Sequence, residues 1–351
     1  MEEGSVAYRP GGFHPVYIGG VLNDRYKVLN KIGYGVYSTA WLCRGGIKTA
    51  FRALKVLSGE CYGQHKDTFE EEILTHLRDG DHNEMGYAYI CHLVDDFVHK
   101  GPNGVHVFLV FELMGETLRR FGAWFFESEL PNPAMRRFTI QLMLALDFAH
   151  RHDIVHTDLK PDNIIIEFGY LAEVPIPQQN RDEELCTVIP FIPLRRFYFT
   201  EADGQRVAEF DIALGYWGEI QPVTLRSPEV LIEAPWDETA DCGRVAPDGH
   251  YELREHLAEI VDLFGPFPKE LLEQGNKDPV GKMFDGEGQV KDSPPFNRPP
   301  LSDEFGSFLK TLMKINPSER LSTMDLLRHP WLDAVYDTSA SNPEQAPEPE
   351  A

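Results

Sequence analysis

The apolar positions change their period along the chain. Between Tyr26 and Val56 they recur at short, strand-like spacing, interrupted by glycines at 33, 35, 45 and 46. Phe69 to Leu77 reads as a helix, and the apolar run Val105 to Leu113 suits a buried strand. Asn132-Pro133 offers an N-cap and a proline at the first helical position. Behind it Phe138, Leu142, Ala145, Leu146 and Ala149 recur at helical spacing. From there the pattern is mostly helical, apart from one strand at Phe210 to Leu214. A sheet-rich first third before a helix-rich remainder predicts an α+β chain with two lobes of different class.

Three stretches carry no period. Residues 1–22, rich in glycine and proline, read as an extended arm. Residues 168–207 read as a long inserted loop, and the acidic, proline-rich residues after Asp337 read as a disordered tail.

Composition narrows the class. At 351 residues, 42% hydrophobic and 25% charged, the chain is ordinary globular protein of roughly two domains. No apolar run approaches the length of a membrane span, and the opening Met1-Glu2-Glu3-Gly4 lacks the order of a signal peptide. A net charge of −23 repels phosphate and argues against general nucleic-acid binding. It suits a basic partner, although a solvated acidic surface explains it equally. Five scattered cysteines without a C-x-x-C pair argue against a disulfide framework and a zinc site. The expectation is a soluble protein of the cytoplasm and nucleus, with no membrane and no direct nucleic-acid partner.

Candidate chemistry concentrates at four places. The segment Ile32-Gly33-Tyr34-Gly35-Val36-Tyr37-Ser38-Thr39-Ala40 lies between strand-like runs, and its glycines let backbone amides approach phosphate oxygens. A plain hairpin turn would use glycines there too. In Phe51 to Val56, Ala53 and Lys55 alternate onto one strand face, where they could line an adenine and its phosphates; an exposed edge lysine is the plainer alternative. Glu70 shares a helical stripe with Ile73, Leu74 and Leu77, so its carboxylate needs a cation, and Lys55 is the candidate. Val155 to Asn163 packs Asp158, Lys160 and Asn163 into six positions. Such a set can accept a hydroxyl proton, hold a phosphoryl oxygen and bind magnesium.

Taken in order, Gly33-x-Gly35, Ala53-Leu54-Lys55, Glu70, His156-x-Asp158-x-Lys160-x-x-Asn163 and Ser227-Pro228-Glu229 resemble the protein-kinase signature set. Asn316-Pro317-x-x-Arg320 and His329-Pro330-Trp331 resemble the last kinase helices. Within that superfamily, His156-Thr157-Asp158, Ser38 in the third-glycine slot and Leu225 to Ile232 resemble the serine/arginine-protein kinases. The resemblance runs over about residues 23–333. It implies a bilobal protein-kinase fold, with a sheet-rich N-lobe over 23–113 and a mainly helical C-lobe over 114–333, and tail residues 334–351 beyond it. It implies ATP and Mg2+ as cofactors and Arg/Ser-rich basic proteins as substrates. Ile32, Gly33, Tyr34, Gly35, Ala40, Ala53, Lys55, Glu70, gatekeeper Phe111, and Glu112 and Met114 would form the ATP site. Asp158 would be the base, Lys160 would steady the γ-phosphate and Asn163 would hold a metal. Arg320 would pair with Glu229, and Glu255 and Asp262, seven apart on one helix face, would dock Arg-rich peptides.

Three departures stand out. Trp217-Gly218 takes the place of the Phe-Gly of the metal motif, which puts Tyr216 where aspartate belongs. A phenol is neutral at pH 7 and a poor magnesium ligand. Placing Ala213-Leu214-Gly215 there also leaves no carboxylate, and Asp211 could serve only after a local shift. From Tyr216 to Glu229 inclusive there are 14 residues, a short activation segment. After Asp241, residues 242–249 supply too few residues for the three-turn helix expected there. In addition, Thr157 replaces the arginine that would pair with a phosphate, so phosphorylation at Thr224 should not act as a switch.

Overall fold

The computed structural model describes residues 3–45, 50–61, 69–123, 125, 130–168, 210–217, 227–235, 240–241, 252–293 and 303–333. Residues 169–209 of the inserted loop, residues 218–226 of the activation segment with Thr224, residues 242–251 and the tail beyond Asp333 lie outside the described residues. The chain divides into two compact units, Met1–Leu130 with Phe148–Ile220, and Pro131–Asp147 with Gln221–Ala351.

The first unit is built on six antiparallel strands: β1 (Val21–Leu22), β2 (Tyr26–Tyr34), β3 (Ser38–Gly45), β4 (Ala50–Leu57), β5 (Leu93–Gly101) and β6 (Gly104–Glu112). Their order is β1-β2-β3-β4-β6-β5. Helix α1 (Glu70–Arg78) is connected to β5 through a short 3-10 turn, Met85–Tyr89. Burial on both faces of β6 explains its mostly apolar run. Phe108 and Val110 join Val28, Trp41, Leu54 and Val56 on one face. Val107 and Leu109, pointing the other way, are equally buried.

Val16 of the N-terminal segment packs into the Phe108 face. The segment expected as an extended arm is docked on the sheet. Glu3 forms an ion pair with Lys31 of β2 and accepts a hydrogen bond from the Tyr8 hydroxyl. Asn103 donates to the Phe13 carbonyl, and the His14 ring lies against those of His99, His106 and Phe108. Non-periodic sequence can still bury side chains when a sheet face supplies the surface.

Beyond α2 (Leu118–Gly122) and the long helix α3 (Asn132–Arg151), the chain forms β7 (Ile164–Phe168) and β8 (Phe210–Leu214). These pair antiparallel, with Ile164 opposite Leu214 and Glu167 opposite Asp211. Strand β7 corrects the expectation of a single strand in this region. A five-residue segment is too short for a period to separate strand from helix, and its partner lies more than forty residues away.

The second unit contains α4 (Pro228–Leu231), α5 (Leu253–Phe264), α6 (Lys269–Gln274), α7 (Lys277–Met283), α8 (Asp303–Leu312), α9 (Thr323–Leu326) and α10 (Pro330–Asp333). Leu231, Ile232, Leu257, Ile260, Phe267, Leu271, Phe284 and Ile315 form its core. Gly265, at φ +96°, ends α5 in a conformation that side chains disfavour. Arg320 reaches both carboxylate oxygens of Glu229 at 2.7 Å, the pairing that the resemblance implies.

Candidate active site

Every candidate catalytic and nucleotide-binding side chain belongs to the first unit. The glycine segment is the β2–β3 hairpin. Gly33 is paired with Ala40, and the Gly35 amide donates to the Ser38 carbonyl to close the turn. A methyl group on Gly33 would meet nothing within 4 Å, and one on Gly35 only the Ser38 hydroxyl at 3.7 Å. Internal packing therefore does not require these glycines, and the space above them is open. Ile32 and Gly33 are half-buried, while Tyr34 at the tip is exposed.

Ala40 lies opposite Lys55, and Ala53 lies opposite Phe111. The register thus sets Ala53, Lys55 and Phe111 side by side in neighbouring strands. Lys55 Nζ donates to both Glu70 oxygens at 2.6 and 2.7 Å, with both residues buried. Glu70 stands in the first turn of α1, where the helix dipole favours a carboxylate. Glu112, which ends β6, is exposed, and Met114 just past it is half-buried. The Cys91 thiol touches the Met114 sulfur at 3.7 Å, and burial pushes that thiol up to about 12, so it is unreactive.

The loop after α3 is tied in a knot of hydrogen bonds. Lys160 Nζ and Asn163 Nδ2 both donate to Asp158 Oδ2, at 2.6 and 2.7 Å. Asn163 Nδ2 also reaches the Asp158 carbonyl. Asp158 Oδ1 is buried and has no hydrogen-bond partner among the described residues. His156, fully buried, receives the Asp158 amide on Nδ1 and donates from Nε2 to the Gly215 carbonyl at 2.8 Å. These bonds assign the neutral Nε2–H tautomer. Thr157 takes φ +64°, a turn that aims Asp158 inward.

Strand β8 ends at this loop. The Gly215 amide donates to the Asn163 carbonyl, and Tyr216 follows at φ +60°. Its ring centroid is 4.8 Å from Lys55 Nζ. Tyr216 therefore stands at the Lys55–Glu70 pair, which supports its alignment with the metal motif. Asp211 is opposite Glu167, four residues before Gly215, or about 13 Å along the strand. The alternative in which Asp211 serves the site is corrected accordingly. Glu167 itself is raised by burial and then by Asp211 and Glu112.

The open glycine hairpin, the paired lysine and the unpartnered oxygen of Asp158 fit a nucleotide triphosphate. The donor set does not fit a carboxylate-held metal pair. Asn163 and Asp158 are present, but position 216 offers a phenol, and no group of three His, Cys, Asp or Glu side chains among the described residues could hold a metal. Sequence motifs missed the roles of Gly215 and Cys91. A Cβ on Gly215 would come 2.8 Å from the Cys91 sulfur, a contact between residues 124 positions apart that no local pattern announces.

Glu255 and Asp262 lie far along the chain, on α5 of the second unit, and both are exposed. No helix among the described residues is long and apolar enough to cross a membrane.

The protein kinase domain family model matches residues 26–172. The serine/threonine-protein kinase SRPK of Physarum polycephalum is 25% identical over 95% of this chain and 92% of its own length. SRSF protein kinase 3 of Homo sapiens is 39% identical over 48% of this chain and 30% of its own length. A solved kinase domain superposes with a TM-score of 0.63 at 20% identity, covering 91% of this chain and 98% of its own, and so shares the fold. The sheet-rich N-lobe, the mainly helical C-lobe and these relatives agree: residues 26–172 match a protein kinase domain, and the similarity across most of the chain supports an SRPK-like serine/threonine protein kinase.

Proposed function

We propose that the protein transfers the γ-phosphoryl group of ATP to serines in basic, Arg/Ser-rich proteins. The observation that carries this reading is the unpartnered, buried oxygen of Asp158, whose other oxygen is held by Lys160 and Asn163. Oδ1 accepts the proton of the substrate hydroxyl as its oxygen bonds to the γ-phosphorus. The bond from that phosphorus to the bridging oxygen breaks, and ADP leaves. Lys160 steadies the γ-phosphoryl oxygens, and Lys55, oriented by Glu70, holds the α- and β-phosphates. Kinases generally work with ATP and Mg2+. Here, among the described residues, Asn163 would offer such a metal a neutral ligand.

Basic substrates are supported by the net charge of −23 and by the exposed Glu252, Glu255 and Asp262 on and beside α5. Cytoplasm and nucleus are the proposed location, supported by the free thiols of Cys43, Cys61 and Cys91.

Tyr216 favours a second reading, a nucleotide-binding scaffold with little turnover. Loss of one preorganised electrostatic partner typically lowers a rate by about 10²–10³. Transfer of labelled phosphate to an Arg–Ser peptide separates the two. The kinase reading expects slow transfer to serine, abolished by Asp158→Ala and raised by about 10²-fold in Tyr216→Asp. Background rates in both the wild type and Tyr216→Asp would leave the scaffold.

A further inference from the structure

We infer that the nucleotide site of this chain works without a protein-held metal: Tyr216 caps the Lys55–Glu70 pair with its ring, and ATP affinity is therefore independent of magnesium. The inference rests on the nucleotide-binding part of the reading above.

The position of Tyr216 is over-determined. On its N-terminal side, Gly215 is pinned by the Asn163 carbonyl, by His156 Nε2 and by the Cys91 sulfur, which leaves no room for a side chain. On its C-terminal side, Trp217 is fully buried, with its ring 4.6 Å from that of His156. Between two fixed neighbours, residue 216 is held in the left-handed region, which disfavours a bulky side chain. Tyr216 as a residue is still 38% exposed, and its ring face lies within cation–π range of Lys55 Nζ. Lys55 is thus neutralised by Glu70 on one side and met by an uncharged aromatic face on another.

An aspartate at this place would set a further negative charge beside the phosphates. Metal-free ATP would then be repelled, and a bound cation would be needed to bridge the two. With tyrosine, that repulsion is missing and so is the oxygen ligand that would hold a hard cation. The charge on the phosphates is met by Lys55 and Lys160 whether or not the nucleotide arrives with magnesium.

Thermal unfolding of the full chain, with ATP titrated in EDTA or in excess magnesium, tests this. The expected result is a ligand-induced shift in both conditions, with apparent Kd values within about threefold of each other. Tyr216→Asp is expected to bind at least about tenfold more tightly in magnesium than in EDTA. A wild-type preference for magnesium of tenfold or more would overturn the inference while leaving the nucleotide site intact. A shift in neither condition would overturn the nucleotide reading and the inference together. The wild-type comparison decides the matter even if Tyr216→Asp does not fold.

Discussion

Lys55–Glu70 in the first unit and Arg320–Glu229 in the second are both two-bonded, buried ion pairs, yet they are finished differently. The Arg320 and Glu229 side chains are 1% and 0% exposed. The guanidinium also donates to the Lys314 carbonyl and reaches that of Ile315. Its planar fork is matched by protein groups on several sides, which suits a residue that holds a fold together. Lys55 and Glu70 are 9% and 5% exposed, and one neighbour of the ammonium is the exposed ring of Tyr216. An exposed, uncharged ring can yield to a phosphate, whereas backbone carbonyls cannot. The contrast separates a pair that serves architecture from a pair that serves a ligand.

The strongest test of that contrast is Glu229→Gln. It leaves a buried guanidinium without its carboxylate and should cost about 3–5 kcal/mol in urea unfolding. A loss below about 1 kcal/mol would remove the distinction between the two pairs.

The first unit should instead owe much of its stability to its docked N-terminal segment. His14 is lowered to about 4 by burial, then by His106 and His99. Its neutral form is favoured in the folded state, so its contribution is complete above the unfolded pKa of about 6.5 and is lost as pH falls toward 4. The loss should reach about 3 kcal/mol, read as a falling Tm over that window. His14→Phe should flatten the profile; an unchanged acid slope in that variant would place the sensitivity elsewhere.

At the ligand-serving pair, Lys55→Ala should cost less than about 2 kcal/mol, because the first turn of α1 partly compensates Glu70. It should nevertheless remove most of the ATP-induced Tm shift. A full shift in this variant would mean that the phosphates do not meet Lys55.

The smallest effect is expected at exposed charges. Glu255→Lys with Asp262→Lys should change stability by no more than about 0.5 kcal/mol. Affinity for an Arg–Ser repeat peptide should fall and lose most of its salt dependence. Unchanged peptide binding would show that α5 is only a solvated face.

Much of this was legible along the chain, where the controlling interactions are local. The period of residues 69–77 anticipates α1 at Glu70–Arg78, and the apolar run 105–113 anticipates β6 at Gly104–Glu112. The spacing of Asp158, Lys160 and Asn163 within one loop brings together the groups that share a hydrogen-bonded knot. Strand β7 was not legible, since its pairing with β8 crosses a long insertion. Nor was the docking of residues 3–20, whose burial depends on a sheet face assembled from later strands.

What the sequence determined by itself is the set of chemical groups and their local order: a lysine and small residue on one strand face, a carboxylate on a helix stripe, and a polar loop beside a tyrosine where a carboxylate was expected. Period and spacing act over a few residues, so they need no knowledge of the rest of the chain. What only the tertiary structure decided is which groups meet. Lys55, Glu70 and Tyr216 converge from a strand, a helix and a strand end separated by up to 161 positions. Whether Asp158 keeps an oxygen without a partner also depends on where Lys160, Asn163 and His156 settle around it. Burial and distance are properties of packing, and packing is fixed by contacts that no short window of sequence contains.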